Sequence, residues 1–287
     1  MNIRYFESLL HIVELGSIAK AARVQNLTPA AVGQRIIALE KHFNTPLLNR
    51  SQHKAVATRA CVDLLPRIRG LVKGFHDLSD QIDPSGLEGK FHIGAISTAL
   101  TGLLPSAVHQ LAEQAPRLNL QIRPGTSNSL FNDLQEGSID AAIIAAPPYE
   151  VPRRFQVNIL RSEPLVLLSH HQTQHSIRDQ LQQDRYICYD SQSWGGLKAN
   201  QYLKDNNIDI EPYYELDALE AIEKLVKQNM GVSLVPLWSG LDTLDTDLKT
   251  TEINNSLYHR NIILVTPATS KRPRIVSALL ASLTIID

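Results

Sequence analysis

Three histidines, His170, His171 and His175, stand close enough in the chain to suggest a metal centre. Cys or carboxylate partners at ligand spacing do not accompany them, so they read as solvated side chains in a polar loop. Serines are plentiful, but no Gly-x-Ser-x-Gly turn presents one as a nucleophile. Cys61 and Cys188 lie far apart and form neither a metal nor a redox spacing. Each reads as a small packed residue, with a redox sensor as the alternative. No bond-making centre emerges, and neither an enzyme nor a bound cofactor is expected. The remaining candidates do hydrogen-bond chemistry. Ser97 and Thr98 follow a strand and open a helix, and Thr126 and Ser127 do the same after Gly125. Hydroxyls beside the free N–H groups of a helix start suit a small anion, although helix capping is their plainer role. Tyr189, Ser193 and Trp194 follow another strand. Trp194 can stack on a ligand or fill a core.

A second set of polar side chains sits near the N-terminus. Apolar residues at Ile3, Phe6, Leu10 and Val13 repeat with helical period, and Gly16 stops that helix. Ser17 caps a second short helix. After the turn at Asn26 and Leu27, Thr28 supplies a cap and Pro29 fits the first position of a third helix. That helix runs to about Phe43 and turns Val32, Ile36, Leu39 and Phe43 inward. Two short helices, a tight turn and a third helix make a helix-turn-helix, whose last helix lies in the DNA major groove. Ala30, Ala31, Gln34 and Arg35 are then left facing outward. Gln34 suits adenine, Arg35 guanine and the alanine methyls a thymine methyl. Thr28, Pro29 and the helix start suit a phosphate. The segment from Leu47 to Thr58 reads as a β wing from which Arg50 and Lys54 reach the backbone or minor groove. Charge supports this division. Residues 1–59 hold eight Lys/Arg against three acids, whereas the whole chain has net charge −1. A basic head on an acidic body is the footprint of a nucleic-acid binder.

Leu64, Ile68, Leu71, Phe75, Leu78 and Ile82 step by fours and threes, the seam of a dimerisation helix over about 59–82, with a kink expected near Pro66. Asp83-Pro84-Ser85-Gly86 closes it. Strands then alternate with helices, which predicts mostly parallel α/β sheets. Strands are expected at Phe91–Ile96, Leu118–Arg123, Ile139–Ala145, Leu165–Leu168, Arg185–Tyr189, Val232–Val235 and Asn261–Val265. Helices are expected near 102–114, 128–136, 196–206, 218–229 and 273–284. Apolar runs stay well short of a membrane span, and the start lacks a secretory leader's apolar centre. A cytoplasmic protein is expected.

Residues 9–61 resemble the LysR-type transcriptional regulators. The resemblance rests on Leu15-Gly16-Ser17-Ile18-Ala19-Lys20-Ala21-Ala22, Leu27-Thr28-Pro29-Ala30-Ala31-Val32, Leu39-Glu40, Pro46-Leu47-Leu48-Asn49-Arg50 and Thr58. It continues through Gly89–Gly94, Leu104-Pro105, Gly125-Thr126-Ser127, Gly137-Ser138-Ile139-Asp140 and Gly231–Pro236. Gly33 departs from the family's usual Ser, Asn44 and Cys61 from Gly, and Leu48 from Phe. The resemblance implies a winged helix-turn-helix at 1–58, a linker helix at 59–87 and an α/β effector domain at 88–287, like a type 2 periplasmic binding protein. Its lobe I would be about 88–162 and 267–287, and its lobe II about 163–266. The loops at Ser97-Thr98 and Thr126-Ser127 would face the cleft from lobe I, opposite Tyr189, Ser193 and Trp194. The implied partners are double-stranded promoter DNA, a small effector (an organic anion by the helix starts), further copies in a dimer or tetramer, and RNA polymerase. A secreted solute binder is the competing assignment, against which the basic head speaks.

Overall fold

The computed structural model describes residues 2–51, 54–80, 85–170, 175–241 and 246–284, without the side chains of residues 50, 51, 54 and 76–80. The chain forms two compact units that divide after residue 84, with residues 135–138 grouped with the first. The N-terminal unit begins with helices α1 (Ile3–Leu15), α2 (Ile18–Val24) and α3 (Pro29–Phe43). The side chains of Asn2, Ser17 and Thr28 accept from the backbone N–H of Arg4, Lys20 and Ala31, so each helix starts on a polar cap. Gly16, at φ 65°, takes the left-handed conformation that ends α1. Val32, Ile36 and Leu39 of α3 have no exposed surface and pack against Leu9 and Ile12 of α1. Burying such side chains contributes about 1.5–3 kcal/mol each. Strands β1 (Leu48–Ser51) and β2 (Lys54–Ala57) form the antiparallel wing. Glu40 fastens the wing to α3, its carboxylate accepting from the N–H of Leu47 at 2.9 Å and of Leu48 at 3.2 Å.

Helix α4 (Arg59–Asp80) continues unbroken through Pro66. Its seam does different things along its length. Cys61, Leu65 and Ile68 are buried in the helix-turn-helix core, and Leu64 packs beside them. Leu71 and Phe75 are 54% and 51% exposed. The first turns therefore belong to the unit's own core, and among the described residues the later turns present half-exposed apolar side chains at Leu71 and Phe75. The Leu78 side chain and Ile82 lie outside the described residues.

The second unit has two lobes. Lobe I contains β3 (Gly89–Ala95), α5 (Ser97–Gly102), α6 (Leu104–Gln114), β4 (Leu118–Pro124), α7 (Ser127–Gln135), β5 (Ala141–Ala145) and β6 (Phe155–Glu163). Lobe II contains β7 (Leu165–His170), α8 (Ile177–Gln183), β8 (Ile187–Tyr189), α9 (Leu197–Asp205), β9 (Tyr214–Leu216), α10 (Leu219–Lys227), β10 (Ser233–Pro236) and β11 (Leu248–Glu252). The chain then returns to lobe I as β12 (Arg260–Pro267) and α11 (Pro273–Thr284). The lobe I sheet has the order β4-β3-β5-β12-β6. β3 runs parallel to β4 and β5, while β12 is antiparallel to β5 and β6. In lobe II, β7 is flanked antiparallel by β10 and β11, and β8 pairs parallel with β9. The sheets are thus mixed rather than mostly parallel. The reason is topological: β6 leads out of lobe I and β12 leads back in, so the two run in opposite directions side by side.

Candidate functional site

The exposed side of α3 carries Thr28, Pro29, Ala30 and Gln34, with Ala31 and Gly33 half-buried. Thr28 Oγ1 is occupied as a helix cap, 3.2 Å from the Ala31 N–H. Gln34 points into solvent on the same face, beside Ile37, which is 44% exposed. An added Cβ at Gly33 would meet nothing within 4 Å, so the surface there is open. Arg35 behaves otherwise. Its Nη1 lies 2.9 Å from Ser8 Oγ, 3.1 Å from Gln25 Oε1 and 3.3 Å from the Arg4 carbonyl. Through Nη1 it ties α3 to α1 and to the end of α2, a packing role additional to the expected base contact. Sequence periodicity could not show this, because the acceptors come from two other helices. The Arg50 and Lys54 side chains lie outside the described residues.

In the second unit, a cavity of about 280 Å³ opens between the two lobes. Ser97, Thr98, Thr126 and Ser127 line it from lobe I, and Tyr189 and Ser193 from lobe II. These six expected residues are brought together from three strand ends and the helix starts that follow them. Their hydroxyls are not equally available. Thr126 and Ser129 cap α7 reciprocally, Ser127 Oγ accepts from the Ala145 N–H at 3.1 Å, and Ser193 Oγ spans the Asp190 carbonyl and the Gly196 N–H. Ser97 is exposed to the cavity and makes no side-chain cap. Trp194 is absent from the lining. Its ring packs edge-on against Phe131 and Tyr149 of lobe I, at centroid distances of 6.0 and 5.7 Å, so it contributes to the lobe junction.

The lining also holds two carboxylates, Asp190 and Asp217, and no basic side chain. Glu215 stands next to both at the cavity's edge, where the hydroxyl and N–H of Ser191 hold its carboxyl below the usual range. The two carboxylates add negative charge at the lobe II edge of the cavity to the helix starts of lobe I from which an anion is expected. Asp217 escaped sequence reasoning because β9, the short strand that delivers it, has no apolar run. Asp190 was visible as the residue after Tyr189.

Beneath the floor lies a buried ion pair. Arg260 and Glu163 are each 2% exposed, with Nε and Nη2 at 2.7 and 2.5 Å from one carboxylate oxygen. Arg260 Nη2 also reaches Thr98 Oγ1 at 3.3 Å, and Nη1 lies 3.5 Å from the Tyr189 hydroxyl. Burial pushes the Cys61 and Cys188 thiols up, which disfavours a reactive thiolate at either position. Among the described residues, no three His, Cys, Asp or Glu side chains form a metal cluster, and His171 lies outside them.

A winged helix-turn-helix followed in the chain by a two-lobed α/β body with a polar cleft defines a ligand-responsive DNA-binding regulator. The family model for the bacterial regulatory helix-turn-helix protein, lysR family, matches residues 3–61, and that for the LysR substrate binding domain matches residues 84–284. The chain belongs to the LysR family of transcription regulators and carries that family's DNA-binding and effector-binding domains. It is 26% identical over 242 residues to the hydrogen peroxide-inducible genes activator of Haemophilus influenzae, covering 82% of this chain and 80% of the relative. It is 28% identical over 238 residues to a probable RuBisCO transcriptional regulator of Gracilaria tenuistipitata var. liui, covering 78% and 76%. Similar solved structures include a full-length OxyR variant from Pseudomonas aeruginosa, with TM-score 0.75 and 20% identity over 100% of this chain and 99% of that one. Full-length CbnR complexed with its target DNA gives 0.70 and 14% over 99% of each chain. The neighbours share the fold of both units.

Proposed function

We propose that this regulator reads promoter DNA with the Ala30, Ala31 and Gln34 face of α3 and is controlled by a small amine-bearing molecule in the cleft. The start of α3, at Thr28 and Pro29, meets a phosphate. Arg50 and Lys54 of the wing extend the contact. The regulator acts as a dimer or tetramer in the cytoplasm, engages RNA polymerase and catalyses no reaction. Among the described residues, no helix is long and apolar enough to cross a membrane.

The observation that carries the effector assignment is the cavity lining, which joins hydroxyls to Asp190 and Asp217 without a basic group. Two neighbouring carboxylates, at the ends of the paired strands β8 and β9, attract a protonated amine, and the Ser97 hydroxyl can bond the rest of the molecule. Control then follows by population shift, because a ligand that binds one lobe arrangement better than another moves the equilibrium toward it.

Operator duplexes selected from a random pool by the full chain supply the assay. Band-shift affinity is read with 1,4-diaminobutane, 4-aminobutanoate and butanedioate, each at about 10 mM, above the millimolar range of weak small ligands. The amines are expected to change operator affinity, and Asp217→Asn to reduce that response roughly tenfold, the scale of one lost ion pair. A response to butanedioate alone, or to none of the three, overturns the amine assignment. A response that survives Ser97→Phe, which fills the cavity, overturns the site itself.

A further inference from the structure

We infer that Arg260 is a positioning residue that sets the angle between the two lobes by holding one cavity-lining side chain on each. The chain passes between the lobes at two places, after Glu163 at the end of β6 and before Arg260 at the start of β12. These two residues are direct partners in the β6–β12 register. Their side chains pair in the interior, each 2% exposed. A pair of that kind, removed from water, is poor evidence for stability by itself, since an apolar pair of similar size often serves as well. The donors that Glu163 leaves over point elsewhere. Nη2 reaches Thr98 Oγ1 on α5 of lobe I, and Nη1 approaches the Tyr189 hydroxyl on β8 of lobe II. Both acceptors line the cavity. The guanidinium is rigid and planar, so it fixes the distance between its two acceptors as a flexible ammonium cannot. Close packing leaves it little room: a Cβ added at Gly195 would come within 3.1 Å of Arg260 Cδ and 2.9 Å of the Tyr189 ring. Glu163 anchors the fork, the fork holds the two walls, and a ligand entering between those walls works against this one fixed point.

The test reads the lobes directly and needs no effector, so its outcome is independent of whether the amine assignment stands. Spin labels are placed on Glu113→Cys in lobe I and Lys204→Cys in lobe II of the full chain, both exposed positions, while the native thiols are buried. The parent is expected to give one narrow distance distribution. Arg260→Lys keeps the charge opposite Glu163 but loses the fork. Thr98→Val with Tyr189→Phe keeps the ion pair but loses both lobe contacts. Each is expected to shift the distribution or broaden it roughly twofold, as a loosened two-state equilibrium would. A third chain, Glu163→Gln with Arg260→Met, removes the buried charges together. It is expected to hold its thermal midpoint yet show the same broadening. Distributions for Arg260→Lys and for Thr98→Val with Tyr189→Phe that superimpose on the parent would overturn the inference, whatever happens to stability.

Discussion

Arg35 shows how a single side chain can take on a second job once the neighbouring helices are in place. Its sequence position on α3 suits a base contact, and three acceptors on α1 and at the end of α2 also hold its Nη1, with the side chain half-exposed. Arg35→Ala is therefore expected to cost about 1.5–3 kcal/mol of domain stability, the range for hydrogen bonds to a charged group. It should lower specific and non-specific DNA affinity together. Gln34→Ala is the contrasting case: unchanged urea midpoint, with a loss of about 1–3 kcal/mol in operator discrimination. Paired urea titrations and competition band shifts separate the two. A stable Arg35→Ala chain that no longer distinguishes operator from random duplex would return Arg35 to the bases.

At the scale of the element, α4 is divided between two tasks. Its first turns complete the helix-turn-helix core through Cys61, Leu65 and Ile68, while Leu71 and Phe75 are about half exposed. Leu71→Asp with Phe75→Asp is expected to leave the helix-turn-helix folded and to move the sedimentation coefficient toward a monomer's. An unchanged coefficient removes this stripe from the subunit interface. The heptad spacing was legible because such a stripe must repeat. What was not legible was which turns pack at home, since a dimer seam and an intramolecular seam have the same period. The same reasoning explains the strands. Buried β3, β5, β7 and β10 announce themselves as apolar runs. β6, β9 and β11 are half-exposed or short and rich in polar residues, so β6 and β11 carried no readable signal and β9 hid Asp217. The expected helix over 102–114 is α6, and the helix start read at Ser97-Thr98 belongs to a separate short helix, α5, divided from α6 at Leu103 where Pro105 favours a new helix start. The hydroxyl half of the cavity was readable from the strand-then-helix pattern around Ser97, Thr98, Thr126 and Ser127. The carboxylate half and the Arg260 floor depend on contacts between residues far apart in the chain.

Across the whole effector unit, the lobes meet closely at more than the hinge. A Cβ at Gly102, at the end of α5, would fall 1.9 Å from Ser239 Oγ and 2.9 Å from Ser239 Cβ. That glycine lets lobe I approach the loop after β10 of lobe II. Gly102→Ala is expected to destabilise the unit by about 1–3 kcal/mol through overpacking, and Ser239→Gly in the same chain to recover most of it. Chemical denaturation of the single and double variants checks both statements, and a double variant no more stable than Gly102→Ala would mean that the two residues do not press on each other.

The strand order of lobe I has one more consequence, for the order in which a nascent chain can finish folding. β6 sits at the edge and pairs only with β12, which follows all of lobe II in the sequence. Until the ribosome has released residues 260–267, β6 has no neighbour and the sheet stops at β5. Lobe II, whose described strands and helices lie between Leu165 and Tyr258, has its own sheet partners before then. The insert can consolidate first while its host waits with an open edge. During that interval the chain is most exposed to wrong pairing or capture by a chaperone.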